Sequence, residues 1–183
     1  LYGEGVYHFE SYQRKEVNES LVFEDKDIKN YYASVGGIKI QTSFTETKWV
    51  DGLIFTLEYY YNEENWSNKQ FKHYIDLLEA NKNNLVNHQT YLLSFKAYSN
   101  SKDYGYASLY LSNFIKQNLT FGNDFILNMD DKSFILMPSL VYSFENSNAE
   151  VGIKNIMYFG NKNSEFGNSL STLNLILFAQ LSF

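Results

Sequence analysis

Eight ionisable side chains sit where an alternating chain would bring them to one side: Glu4, His8, Glu10, Lys39, Glu58, Asp124, Glu150 and Lys154. Their chemistry is charge of both signs. Facing one another across a wet interior, they would set a transverse field and tune which solutes pass. The plainer alternative is a set of mutually neutralising pairs that hold a narrow interior together. A small closed barrel favours the second, because its interior is just wide enough for side chains. A larger barrel favours the first.

Nothing else in the chain announces catalysis. His8, His73 and His88 are scattered, and no pair has the spacing of metal ligands. Asp130-Asp131 could hold a hard cation, but a solvated turn accounts for them. No local motif joins a nucleophile to a base. No catalytic residue, metal or cofactor is expected, and the chain is not expected to be an enzyme. Asn18-Glu19-Ser20, Asn65-Trp66-Ser67 and Asn118-Leu119-Thr120 match a glycosylation sequon by pattern only.

The elements that must carry these charges are strands. In the last twelve residues, 172–183, every second side chain is apolar: Leu173, Leu175, Leu177, Ala179, Leu181 and Phe183. The intervening set is mixed. Such alternation gives a strand one dry face and one mixed face. The same pattern recurs over residues 1–12, 31–44, 52–62, 104–114, 119–129, 133–144 and 149–159. Leu53, Phe55, Leu57, Tyr59 and Tyr61 oppose Glu58 in the third strand. In the fifth, Leu119, Phe121, Phe125, Leu127 and Met129 oppose Asp124, and Asn123 interrupts the apolar set. Residues 13–30, with Lys, Glu and Asp throughout, predict a solvated loop in which Val22 and Phe23 pack locally. Residues 63–103 form the longest interruption. Within it Ser67 could cap a helix from about Asn68 to Ala80, and 90–98 could add a strand. Short turns are expected at 45–51, 115–118, 130–132 and 145–148, and a polar loop at 160–171.

Composition agrees. The chain of 183 residues holds 16 Tyr and 15 Phe, a number that suits aromatic girdles at two membrane–water interfaces. Pro138 is the single proline, so strands run on uninterrupted. No apolar run approaches the roughly 20 residues of a spanning helix, and in a barrel mean hydropathy is uninformative. A formal net charge of -6 argues against a nucleic-acid partner. Cysteine is absent.

Three local patterns are similar to a largely uncharacterised group of porin-like bacterial outer-membrane β-barrels. They are Glu58-Tyr59-Tyr60-Tyr61-Asn62, Asn128-Met129-Asp130-Asp131-Lys132-Ser133 followed by Pro138, and Ser164-Glu165-Phe166-Gly167. The terminal strand ending in Phe183 resembles the signal strand of such barrels. The resemblance implies that Leu175, Leu177, Ala179, Leu181 and Phe183 are read by the barrel-insertion machinery. It also implies that the chain is the C-terminal part of a longer barrel, and it transfers no catalytic residue.

The expected fold is therefore all-β: an antiparallel transmembrane up-and-down barrel of about eight strands in this chain. It would form a single domain, 1–183, or the C-terminal portion of one, with a long extracellular loop at 63–103. The partners are outer-membrane lipid and the insertion machinery, with no nucleic acid. The expected role is passive diffusion of small solutes across the bacterial outer membrane. The alternative is a small closed barrel of structural or adhesive role whose surface loops bind a partner. A soluble β-sandwich with the Leu face as its core is the third possibility.

Overall fold

The computed structural model describes residues 2–17, 23–44, 49–63, 65, 67, 69–70, 72–73, 76, 80, 101–115, 117–145, 149–161, 164–167 and 172–181, with the backbone alone for 6–17 and 23–31. The strands are β1 (Tyr2–Val17), β2 (Phe23–Ser43), β3 (Gly52–Asn62), β4 (Asp103–Ser112), β5 (Leu119–Asn128), β6 (Phe134–Ser143), β7 (Ala149–Phe159) and β8 (Leu173–Leu181). Each pairs with the next, antiparallel, in one sheet of order β1 to β8. The all-β up-and-down meander expected from alternation is present. Closure is not: β1 and β8 are the two edges of the sheet, with no pairing between them among the described residues.

Register decides which side chains share a face. Ile38 lies opposite Leu57, Leu57 opposite Ala107, Ala107 opposite Phe125, Phe125 opposite Leu136, Leu136 opposite Met157 and Met157 opposite Leu173. One unbroken apolar row thus crosses β2 to β8. The row beside it reads Lys39, Thr56, Ser108, Asp124 and Met137. Because side chains alternate, the two rows face opposite ways. We call the first face outer and the second inner.

The outer face is the exposed one. Ile40, Leu57, Leu173, Leu175 and Leu181 are open, and Leu177 is 74% exposed. The inner face holds the buried groups, and polar ones outnumber apolar ones. Ser101, Ser108, Asp124, Asn128, Ser133, Ser164 and Glu165 are buried, against Tyr104, Ile135, Met137 and Phe166. Leu173, Leu175, Leu177 and Leu181 are therefore not the core of a sandwich.

Two expectations about the connections are corrected. Residues 13–17 and 23–30 are strand rather than loop. Both strands of the first hairpin run on, with Gln13 opposite Asp27 and Val17 opposite Phe23. The side-chain pattern there is polar on both faces and resembles a loop. The backbone nonetheless contains no Pro or Gly to stop pairing. Second, an irregularity between His8 and Ser11 removes Glu10 from the simple alternation.

Of the helix expected in 63–103, Lys69, Gln70, Lys72, His73, Asp76 and Ala80 have helical backbone, with no continuous helix described. Ser67 and Gln70 form a reciprocal cap: Ser67 N donates to Gln70 Oε1 at 2.9 Å and Gln70 N to Ser67 Oγ at 3.4 Å. Residues 81–100, including the strand expected at 90–98, lie outside the described part, as does Phe183.

Gly37 is required by close approach. A Cβ there would stand 2.6 Å from the Leu57 carbonyl oxygen and 2.8 Å from Glu58 Cγ, whereas at Gly3 the nearest atom is 3.7 Å away. Gly37→Ala is expected to cost about 1–3 kcal/mol through overpacking, and Gly3→Ala close to nothing. Urea unfolding of the two variants checks the contrast.

Candidate functional site

The inner face of β3 to β7 carries a polar lane centred on Asp124. Ser108 lies directly opposite Asp124 in register. The phenols two residues to either side of Ser108, Tyr106 and Tyr110, both donate to Asp124 Oδ1 at 2.8 Å. Tyr110 can lie flat across β5 only because residue 122 is Gly: a Cβ there would meet the ring at 2.7 Å. From β7, Lys154 Nζ reaches Asp124 Oδ2 at 3.6 Å. A carboxylate with two phenol donors and an ammonium partner is a satisfied group.

The lane continues in both directions. Toward β1, Glu58 accepts from the Tyr2 hydroxyl. Toward the β6–β7 turn, Glu150 accepts from Ser143 Oγ at 2.9 Å. Lys39 and Glu4 are exposed on the same face. Of the expected lumen residues, the structure thus gathers Glu58, Asp124, Glu150 and Lys154 on one face, with Lys39 and Glu4 beside them. The side chains of His8 and Glu10 lie outside the described part. Lys154 with Asp124 is the neutralising kind of pair. Glu58 and Glu150 are hydrogen-bonded without a cation within pairing distance among the described residues.

A second cluster closes the lane at the end where β1–β2, β3–β4, β5–β6 and β7–β8 connect. Asn128 ends β5. Its Oδ1 accepts from the backbone N–H of Asp130 at 2.9 Å and of Asp131 at 3.3 Å, fixing the turn. Lys132 takes a positive φ of 62°. Asp131 Oδ1 accepts from Ser133 N and Oγ, and its Oδ2 accepts from Glu165 N at 2.6 Å. The Glu165 carboxylate is fully buried. It accepts from Tyr104 Oη at 2.8 and 2.9 Å and from Asn128 Nδ2 at 2.7 Å. Next to it Phe166 packs on Tyr104, Ile135 and Met137.

Two of the quoted motifs therefore meet in space: Asn128 to Ser133 grips Ser164 to Gly167. By sequence the first lies in a short turn and the second in a polar loop, with no local pattern joining them. The charge pattern does not mark Tyr104, Tyr106 and Tyr110. Their signal was present as a phenol set alternating with Ala107, Leu109 and Leu111.

Compared with protein-family models, with curated proteins and with solved structures, the chain matches none. The reading of the site rests on its geometry.

In the turn, burial first and the Asp103 carboxylate second push the Asp130 carboxyl above its usual range. The native state therefore binds that proton more tightly than the unfolded chain does. The group's contribution to stability is greatest at low pH and falls as pH rises from the ordinary value of 3.8 through the raised one. Asp130→Asn is expected to unfold at higher urea than wild type at pH 7. The two midpoints should converge as pH falls to the ordinary carboxylate range, and urea titrations across that range check this.

Proposed function

We propose that the chain is the wall, or part of the wall, of a porin-like β-barrel that lets small polar solutes diffuse across a bacterial outer membrane. One observation carries this reading. The apolar face of the sheet is the exposed one, in register across seven strands, and the polar face is the sheltered one. In water such a sheet would present a large greasy surface. In lipid it is correctly placed, because lipid-facing and interior residues alternate along every strand of a membrane barrel.

Aromatic residues support the reading by their position. At one end of the outer face Phe134 stacks on Phe159 at 4.6 Å and lies 5.4 Å from Phe125. At the other, Tyr142 meets Phe144 at 5.2 Å and Phe114 meets Phe121 at 5.5 Å. On β6 the step from Phe134 to Tyr142 is roughly 27 Å along the strand. A tilt of about 40° reduces that to roughly 20 Å, close to the apolar band of about 25 Å between the girdles of such barrels. With the strands in meander order, the two longest connections, 63–102 and 160–172, fall at one end, which the short β1–β2 and β5–β6 connections share.

The rival reading, a closed barrel of structural or adhesive role, is favoured by the filled space around Phe166. The two part in a planar lipid bilayer. The full-length protein is expected to give stepwise ion current, and a reconstituted, folded protein without current would remove the channel. The membrane assignment has its own test. Leu177→Arg on the outer face is expected to cost about 2–4 kcal/mol if it lies near the bilayer midplane. That loss would appear as impaired folding into lipid vesicles. Equal insertion by the variant would count against lipid on that face.

A further inference from the structure

At the end of the sheet where β2–β3 and β4–β5 connect, a cavity of about 490 Å³ lies over the strands β2 to β5. Its size falls within the range of small-molecule sites. Register builds it from the inner face. Gly52 lies opposite Ser43 on one side and Ser112 on the other, and Tyr110 lies opposite Gly122. Gln41, Ser43, Gly52, Tyr110, Ser112 and Thr120 line the space, with Asp51 exposed at its rim.

Two glycines open its floor. A Cβ at residue 52 would stand 2.7 Å from Ser112 Oγ, so Gly52 leaves a gap between the hydroxyls of Ser43 and Ser112. Gly122 lets the Tyr110 ring settle on β5, and the phenol's bond to Asp124 at 2.8 Å pins the far end of that ring. Tyr110 is therefore a fixed plate on the wall of the cavity rather than a free rotor. An aromatic face is slightly negative. It attracts the slightly positive C–H bonds on the flat side of a pyranose ring.

Around the plate the polar groups are mostly uncharged. Gln41 offers an amide, and Ser43, Ser112 and Thr120 offer hydroxyls, so each side chain both donates and accepts. Such groups match a ligand of many hydroxyls. An anionic ligand would call for a cation, and none lines the cavity among the described residues. The one charge there is the Asp51 carboxylate, held by Asn113 Nδ2 at 2.6 Å; it accepts from hydroxyls and repels anions. We propose that this cavity binds a neutral saccharide, with Tyr110 as the stacking plate, Ser112 and Thr120 as hydroxyl partners and Asp51 as the acceptor at the rim. The proposal rests on the wet inner face of the reading above and does not need the channel to conduct.

The test is calorimetric titration of the full-length protein, folded in detergent micelles, with maltose, diacetylchitobiose, galacturonate and uridine. Wild type is expected to bind a neutral disaccharide at millimolar concentration, and galacturonate about tenfold more weakly or worse. Tyr110→Ala should weaken the neutral sugar by about tenfold, because the stacking plate is gone. Tyr110→Phe should weaken it less, since the ring stays and only its anchor on Asp124 is lost. Thr120→Val removes one hydroxyl at similar volume and should cost about fivefold. Circular dichroism of each variant reports whether its strands have formed.

Absence of neutral-sugar binding by folded wild type would overturn the proposal. So would a preference for galacturonate or for uridine, which would make the ligand an anion or a nucleobase instead. Unchanged sugar affinity in folded Tyr110→Ala and Thr120→Val would place any binding elsewhere and overturn it too; if Tyr110→Ala does not fold, Tyr110→Phe and Thr120→Val decide. Sugar binding by a protein that carries no current would remove the channel and leave the site. Current without sugar binding would remove the site and leave the channel.

Discussion

The structure depends on register. An antiparallel ladder keeps period-two faces aligned only while each strand is paired without slippage, and a slip of one residue turns a whole strand over. Here the alignment holds from Ile38 on β2 to Leu173 on β8, so seven separate alternations add up to one apolar surface. The sheet acquires two distinct sides because its strands agree.

That agreement sets the energetics of the sheltered side. Polar groups removed from water must find partners or cost free energy. Asp124 finds two phenols and an ammonium, and Glu165 finds a phenol and an amide. Each carboxylate draws donors from more than one strand or connection. Hydrogen bonding of this kind is directional, so it also specifies how neighbouring strands sit, which apolar contact alone does not.

The elements were legible because alternation is a local property. β3 and β7 begin and end where the sequence pattern does, at Gly52–Asn62 and Ala149–Phe159. The extension of the first hairpin was not legible: its residues are polar on both sides, and backbone pairing leaves no mark in side-chain type. The inward charges were legible as one face of each strand. The Asn128–Glu165 cluster was not, because the two residues are 37 apart and neither stands out within its own connection. What joins them is the meander, which places the β5–β6 and β7–β8 connections at the same end of the sheet. Closure of the sheet is likewise a relation between its two edges, β1 and β8, which no local pattern encodes.

The Asn128–Glu165 cluster also lies beside a break in the ladder. Between β6 and β7, Leu136 pairs with Met157 and Ser139 with Lys154, but the two steps between lack pairing. Pro138 has no N–H to give, so a break there is expected. The register is the same on both sides of the gap, so the break is a missing rung rather than a bulge. Something must hold β6 and β7 in line across it. Below the gap the long Lys154 side chain reaches past β6 to Asp124 on β5. Above it, Ser133 at the start of β6 and the loop that follows β7 are joined through Asp131, Glu165 and Phe166. A buried carboxylate and a buried ring beside a proline break thus act as tertiary staples: they supply across the loop the coupling that the backbone lacks within the sheet.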